Sequence, residues 1–188
     1  MTATAGALSC VMMRMVAAYS IGKKTTEETR KQIEAFQVRF QRADQVMRGL
    51  IAEDAAAFEN LQSAARESRA NSSAESARQA AVLMAISVPL EMAATAAEAM
   101  DMMDRFKALA GKYIISDLGV AAVLADATAR AAKFSVLINV NELAELAARN
   151  SALDQIDRII KRCGQSYASI QAFVNQRIRD LSGDVPGG

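Results

Sequence analysis

The 188-residue sequence has no histidine and no tryptophan, and it contains only two prolines and two cysteines. Without histidine, the protein cannot build a Ser-His-Asp or Cys-His catalytic group or a histidine-ligated metal site. Any acid–base chemistry therefore falls to Asp, Glu, Lys, Tyr or Cys side chains. Cys10 and Cys163 stand far apart in apolar helical segments, which predicts two reduced core residues and no metal site.

The sequence also has almost no net charge, because its 22 Lys and Arg residues are nearly balanced by 21 Asp and Glu residues. This balance provides no basic field for nucleic acid, and we expect no nucleic-acid partner. The apolar stretch at residues 1–21 is interrupted by Arg14 and has no basic segment before it. We therefore expect a buried amphipathic helix rather than a signal peptide or membrane span, in a cytoplasmic protein without a membrane partner.

What the sequence does contain is alanine in quantity, within a composition that is 52% hydrophobic. Few prolines and glycines with many alanines are typical of helices that approach one another closely. We predict an all-α fold, an elongated up-and-down helical bundle, formed by a single domain at residues 1–182. The tail at residues 183–188 is predicted to be flexible.

Periodicity and capping signals predict five or six helices and no strand. Thr25 and Ser72 each precede a glutamate three residues on, so each is a predicted N-cap. Ser116 is the predicted N-cap of a later helix, with Asp117 in its first turn. The short apolar stretch at residues 136–139 is predicted to be an extended link or the start of a helix, because no partner strand is visible. The predicted helices cover residues 2–20, 27–69, 72–110, 117–134 and 141–150, with a last one beginning near residue 150.

The longest predicted helix carries a seam of side chains spaced by three and four residues, in which Asp54 is the one polar member. A carboxylate on a buried seam must be paired, hydrogen-bonded or protonated, so Asp54 is a candidate for proton transfer. A structural aspartate paired with an arginine is the alternative. The seam consists of Ile33, Phe36, Phe40, Ala43, Met47, Leu50, Asp54, Ala57 and Leu61.

This helix would be roughly 60 Å long, at 1.5 Å per residue. A compact protein of this size has a radius of gyration of only roughly 16 Å. We therefore predict a homodimer whose interface includes the long helices.

Five short strings occur in order along the chain: IGKK at 21–24, EDAAAF at 53–58, SVPL at 87–90, SDLGVAA at 116–122 and VLIN at 136–139. The same strings occur in the same order in the cyclodeaminase/cyclohydrolase family of folate enzymes, which the sequence resembles over roughly residues 5–180. The family includes the helical domain of formiminotransferase-cyclodeaminase and stand-alone bacterial methenyltetrahydrofolate cyclohydrolases.

The resemblance implies an all-helical, dimeric, cytosolic enzyme that acts on a tetrahydrofolate derivative. Such enzymes either close formimino-tetrahydrofolate to methenyl-tetrahydrofolate with loss of ammonia, or hydrolyse methenyl- to 10-formyl-tetrahydrofolate. No metal is needed, because the substrate carbon is already cationic and electrophilic, and we predict no tightly bound cofactor.

The resemblance also assigns candidate site residues. Asp54 matches the aspartate of the family's DxxAF string and Asp117 that of its SD pair, which implies two acid–base or ligand-orienting groups. Lys23 and Lys24 match a basic pair that would meet the pterin or the glutamate tail, although a solvated turn is the alternative. Ser116 and Asn139 are the other predicted substrate-binding residues, and Asn139 is also suited to bonding a buried backbone group.

Several polar positions of the family pattern are replaced in this sequence. Residues 111–114 read GKYI where relatives carry a GNxN string, and Ala18 stands where relatives have an asparagine on the first helix. Arg14 appears where a small residue is usual. Because scaffold residues remain while these polar groups are missing, the alternative function is a fold-retaining homologue with altered or lost activity. Such a homologue would bind another pterin-like ligand or a protein partner.

Overall fold

The structure of the protein, a computed structural model, describes residues 1–183, without the side chains of the last two. The all-α prediction is confirmed, since this range contains five α-helices and no strand. The predicted flexible tail lies outside the described residues except for its first residue, which ends the last helix. The helices are α1 (Thr2–Tyr19), α2 (Glu27–Ala70), α3 (Glu75–Phe106), α4 (Ile115–Val140) and α5 (Leu146–Gly183).

The first four helices form a ring around one hydrophobic core. Each helix packs against the next in chain order, α4 closes the ring against α1, and α5 lies outside in the groove between α3 and α4. α4 is therefore enclosed by α1, α3 and α5 on three sides. It is able to accept three neighbours because alanines buried on several of its faces let other helices approach closely.

Two contacts show how close this packing is. The Ser9 hydroxyl of α1 donates to the Ala121 carbonyl of α4 at 2.7 Å. A Cβ placed on Gly119 of α4 would lie 3.2 Å from a Val174 methyl of α5. Small side chains at these points are needed because a larger one would push the neighbouring helix away.

α4 and α5 are both longer than predicted. The prediction of an extended link or a helix start at residues 136–139 is wrong, because α4 continues through this stretch and buries Val136 and Val140 in the core. Burial of these β-branched residues outweighs their weak intrinsic preference for strand. The predicted short helix at 141–150 is also wrong: residues 141–145 form a turn, and α5 begins at Leu146 and passes residues 150–151 without a break.

The predicted helix caps are displaced by one residue or missing. Thr26 rather than Thr25 caps α2, and its side chain accepts a backbone N–H three residues on at 3.2 Å. Asn71 rather than Ser72 caps the short turn before α3. Ser116 is not an N-cap, since it lies inside the first turn of α4, which has no side-chain cap. Sequence signals alone place such boundaries poorly because neighbouring hydroxyl and amide residues compete for the same backbone donors.

The seam of α2 is confirmed as a buried face, but the burial predicted for Asp54 is wrong, because this residue is exposed. Gly6 of α1 faces Met47 of α2 so closely that a Cβ at position 6 would lie less than 3 Å from the Met47 side chain. α1 runs antiparallel to α2 and begins at Thr2, so it covers α2 only to about Leu50. Asp54 follows one turn later, beyond the reach of α1, and it is exposed although Ala57 and Ala64 further along α2 remain buried.

α3 is long and apolar enough to cross a membrane by length and composition, in the segment Ser72–Leu109. Within the structure, 61% of its most apolar window is buried against the other helices. That burial is what the core helix of a bundle shows.

The Asn139 side chain supplies a hydrogen-bond donor to a backbone carbonyl of α3 that has no partner within its own helix. Pro89 lies inside α3 and has no N–H, so the Ala85 carbonyl lacks its usual partner four residues on. The Asn139 side-chain amide reaches across from α4 and donates to that carbonyl at 3.0 Å, and to Ser135 of its own helix at 2.9 Å. Both amide hydrogens are therefore used on backbone groups.

This pairing makes a prediction about stability. Asn139→Ala should lower the free energy of unfolding by about 1–2 kcal/mol, because a part-buried carbonyl loses its donor. In a Pro89→Ala background α3 supplies its own N–H, so the same change should cost less, with a coupling of at least about 0.5 kcal/mol. Urea denaturation of the four proteins measures this coupling.

Asn141→Ala is the matched control, because the exposed Asn141 amide bonds only to Leu137 of its own helix at 3.3 Å. It should change stability by less than about 0.5 kcal/mol in either background. Equal costs of Asn139→Ala with and without Pro89 would show that the two residues do not act together.

Candidate functional site

The basic pair Lys23–Lys24 lies at the end of the bundle where α4 begins. Both lysines are exposed in the loop between α1 and α2. The Ser20 hydroxyl, at the end of α1, accepts the backbone N–H of Gly111 at 3.0 Å and so holds this loop beside the connection into α4. The two lysines therefore share one end of the bundle with the first turn of α4.

That first turn presents Ser116 and Asp117 in different directions. Ser116 is exposed and lines a groove between α4 and α5. Asp117 is half-buried and, one residue later, is rotated by about 100° around the helix. In the part of the chain that the structure describes, its carboxylate has no hydrogen-bond or ion-pair partner. A half-buried carboxylate without a partner is available to a ligand or a proton.

The groove between α4 and α5 has a volume of about 300 Å³. Its walls are mostly apolar, with Val120, Val123 and Ile170 among them, and Gln171 and Asn175 add two side-chain amides. Apolar walls with a few polar groups suit a flat, heteroaromatic ligand that has a hydrogen-bonding edge. Sequence reasoning missed the two amides, although their spacing of four on α5 placed them on one face beside the helix seam.

Asp54 and Asn139 are not brought to this end. The contacts of Ser9 with Ala121 and of Gly6 with Met47 place Asp117 level with about residue 40 of α2. Asp54 is then roughly 20 Å away along the bundle axis. Asn139 follows Asp117 by six turns of α4, which is roughly 33 Å. Within one protomer, Asp54 and Asp117 cannot contact the same reacting carbon.

A buried acidic residue that sequence reasoning missed is Asp44, which is 5% exposed. Its carboxylate accepts from Arg48 at 2.8 Å and lies 3.9 Å from Arg14 of α1. Burial, with a further contribution from the Asp44 charge, raises the pKa of the Cys10 thiol to about 12. Arg14 thus has a structural partner. The sequence did not reveal this pair, because the two residues lie on different helices and no short-range spacing relates them.

The two cysteines are free and buried, as predicted. Burial raises the pKa of Cys163 to about 12 as well, with the charge of Asp126 contributing. Both thiols stay protonated at neutral pH and are poor nucleophiles. Among the described residues, no three Cys, Asp or Glu side chains lie together in a way that would hold a metal ion.

Comparison with known proteins agrees with this architecture. Residues 1–158 match the sequence model of the family described as formiminotransferase-cyclodeaminase. The chain belongs to this family. It is 25% identical to a methenyltetrahydrofolate cyclohydrolase of Methylorubrum extorquens over 181 residues, which cover 92% of this chain and 87% of the relative.

The fold is similar to the crystal structure of formiminotetrahydrofolate cyclodeaminase from Thermotoga maritima, with a TM-score of 0.87 and 23% sequence identity. The match covers 94% of this chain and 86% of that one. The helical bundle of the formiminotransferase-cyclodeaminase family is thus kept at low sequence identity. Small residues between helices, such as Gly6 and Gly119, are where such a bundle tolerates least change.

The two aspartates of α2 should respond differently to neutralisation. Asp44→Asn leaves two arginines without their buried carboxylate and should cost about 1–3 kcal/mol of stability. Asp54→Asn should stay within about 0.5 kcal/mol of the wild type, because Asp54 is exposed and bonds to nothing among the described residues. Unfolding free energies in urea distinguish the two, and a large loss for Asp54→Asn would show that it has a structural partner.

Proposed function

We propose that this protein is a cytoplasmic folate one-carbon enzyme of the cyclohydrolase or cyclodeaminase type, acting on a tetrahydrofolate derivative without a tightly bound cofactor. Membership of the formiminotransferase-cyclodeaminase family and the cyclohydrolase relative support this proposal. The observation that carries it is the half-buried Asp117, which has no partner among the described residues and lies in the same helical turn as Ser116, a residue of the groove between α4 and α5.

In the hydrolase reaction, the Asp117 carboxylate accepts a proton from the water that attacks the cationic amidinium carbon. A carbon–oxygen bond forms, the bond from this carbon to one ring nitrogen breaks, and the first proton passes to that nitrogen. The second proton of the water is released to solvent as the formyl C=O forms, which balances the positive charge of the substrate. In the deaminase reaction, the same group takes the proton of the attacking ring nitrogen and returns a proton to the departing ammonia. The pterin ring occupies the groove, and Lys23 and Lys24 meet the anionic tail of the substrate.

Asp54 enters this reaction through a second copy of the chain. Large apolar side chains are exposed on two adjacent helices, α1 and α4, and on the part of α2 that carries Asp54. An exposed face of this kind is typical of a protein–protein interface. Its largest members are Leu8, Met15 and Tyr19 on α1, Val120, Val123, Phe134 and Ile138 on α4, and Ile51 and Phe58 on α2.

We therefore place the predicted homodimer interface on α1 and α4, with α2 contributing the strip around Asp54. A two-fold axis perpendicular to α4 makes the partner run antiparallel. That arrangement brings the Asp117 end of one protomer towards the Asp54 end of its partner. The separation of roughly 20 Å within a protomer is then no obstacle to a shared site.

The sequence of the connection at residues 111–114 favours the alternative, a homologue with altered or lost activity. The connection at residues 111–114 packs against Ser20 beside the site, yet it has no asparagine where the family pattern has two. A homologue of this kind would bind a pterin-like ligand in the groove without turning it over.

Turnover tests the proposal. The near-ultraviolet band of methenyl-tetrahydrofolate should decay faster with the protein than in buffer. Asp117→Asn and Asp54→Asn should each slow this decay by about 100-fold or more, as expected for loss of an acid–base group. Asp154→Asn, an exposed aspartate on α5, is the control and should keep full activity. If the wild type gives no decay, the proposed activity is wrong and the homologue with altered or lost activity, which binds another pterin-like ligand or a protein partner, is favoured.

The assembly has its own test. The 20.1 kDa chain should sediment at twice that mass, and Phe134→Glu should yield monomers because it places a charge in the apolar interface. Val38→Glu is the control, since Val38 is 68% exposed on α2. A wild-type monomer at micromolar concentration would contradict the dimer.

Mixing the two inactive aspartate variants tests the shared site. Half of the dimers formed at random are mixed, and each mixed dimer has one intact site, so about a quarter of wild-type activity should return. No recovery in mixtures shown to contain mixed dimers would place all catalytic groups within one protomer.

A further inference from the structure

A second groove lies on the other side of α5, remote from Asp117. Its floor is the outer face of α3 between Glu91 and Arg105, a length of roughly 20 Å, and residues of α2 and α5 form its sides. Its volume is about 580 Å³. Ala43 and Ala94 are among the lining residues, and their small side chains leave the space between the helices open.

Three arginines without acidic partners gather at one end of this groove: Arg39 and Arg42 of α2, and Arg105 of α3. None of them forms an ion pair with a carboxylate in the part of the chain that the structure describes. The fourth arginine of the groove behaves differently, because Arg162 of α5 donates to Asp101 at 2.6 Å. Like charges held together without a counter-charge favour an anionic ligand.

Aromatic packing beneath this end positions the two helices that carry the arginines. The Arg39 guanidinium lies 5.9 Å from the centre of the Phe36 ring, which packs edge-on against Phe106 at 5.5 Å. Phe40 also contacts Phe106, at 6.5 Å between ring centres. These contacts fix α2 and α3 in the register that places their arginines together.

The opposite end of the groove is acidic and contains an unused hydroxyl group. Glu91 lies at this end and Glu98 at the middle of the groove, and neither has a cationic partner among the described residues. Thr95 is only 9% exposed, and its hydroxyl makes no hydrogen bond within that part of the chain. The buried Thr128, in contrast, donates to the Leu124 carbonyl of its own helix at 2.7 Å. The Thr95 hydroxyl therefore opens to the groove, since no buried side-chain oxygen or nitrogen among the described residues lacks a partner, and it can bond to water or to a ligand there.

We propose that this groove binds a small molecule whose head carries two or more carboxylate or phosphate groups. The head lies on Arg39, Arg42 and Arg105, where planar guanidinium groups bind such oxygens in pairs. Glu91 and Glu98 repel an anion from the other end and the middle of the groove, and the Thr95 hydroxyl is free for the uncharged part of the same molecule. The proposal does not depend on the folate chemistry at Asp117.

Calorimetric titration of the full chain with citrate and with pyrophosphate tests the proposal, because the two probes represent its two sources of charge. At least one probe should bind. Arg42→Gln combined with Arg105→Gln should weaken that binding by about tenfold or more, since charged hydrogen bonds are lost. The control combines Arg69→Gln with Arg158→Gln, which changes the net charge equally at exposed positions outside the groove and should leave binding unchanged.

A change of opposite sign completes the test. Glu98→Gln removes a repelling charge from the groove and should strengthen binding of the same probe. Binding of citrate alone would assign the site to carboxylates, and binding of pyrophosphate alone to phosphates. The proposal is overturned if neither probe binds at millimolar concentration, or if the control pair weakens binding as much as the groove pair. Helical circular dichroism of each variant verifies that it is folded.

Discussion

The structure depends on the close packing of α4, a helix that has small or apolar residues on nearly every side. α1, α3 and α5 all contact it, and each relies on alanine or glycine at the point of approach. Ser9 can bond directly to the Ala121 backbone only because no side chain separates the two helices there. A larger residue on any of these faces would move a neighbouring helix and with it the core.

The fourth side of α4 is apolar but exposed, and this asymmetry connects packing to function. Val120 and Val123 belong to the groove beside Ser116, and the same stripe continues through Phe134 to Ile138. Helical periodicity places groove and candidate dimer face on one side of a single helix. Forming the dimer would therefore influence the site directly, because the surface covered by the partner adjoins the groove that would hold the substrate.

The charged side chains divide into those that hold helices together and those that remain available. Asp44, Asp101 and Asp104 are each bonded to an arginine or lysine and connect or support helices. Asp54 and Asp117 have no partner among the described residues. This distinction supports functional roles for the latter pair more strongly than position on a helical seam does, since a seam position is compatible with either role.

The sequence by itself determined that the protein is helical, that α2 is one long helix with a buried seam, and that the cysteines lie in the core. These features follow from local periodicity and composition, which act over a few turns of helix. Only the tertiary structure decided that α4 runs through residues 136–139, since its β-branched residues are stabilised there by contacts with distant segments. It also decided the exposure of Asp54, because coverage depends on where the antiparallel α1 begins. The ion pairs of Asp44 and the bond from Asn139 to the carbonyl exposed by Pro89 join residues far apart in sequence, and no short-range pattern records such contacts.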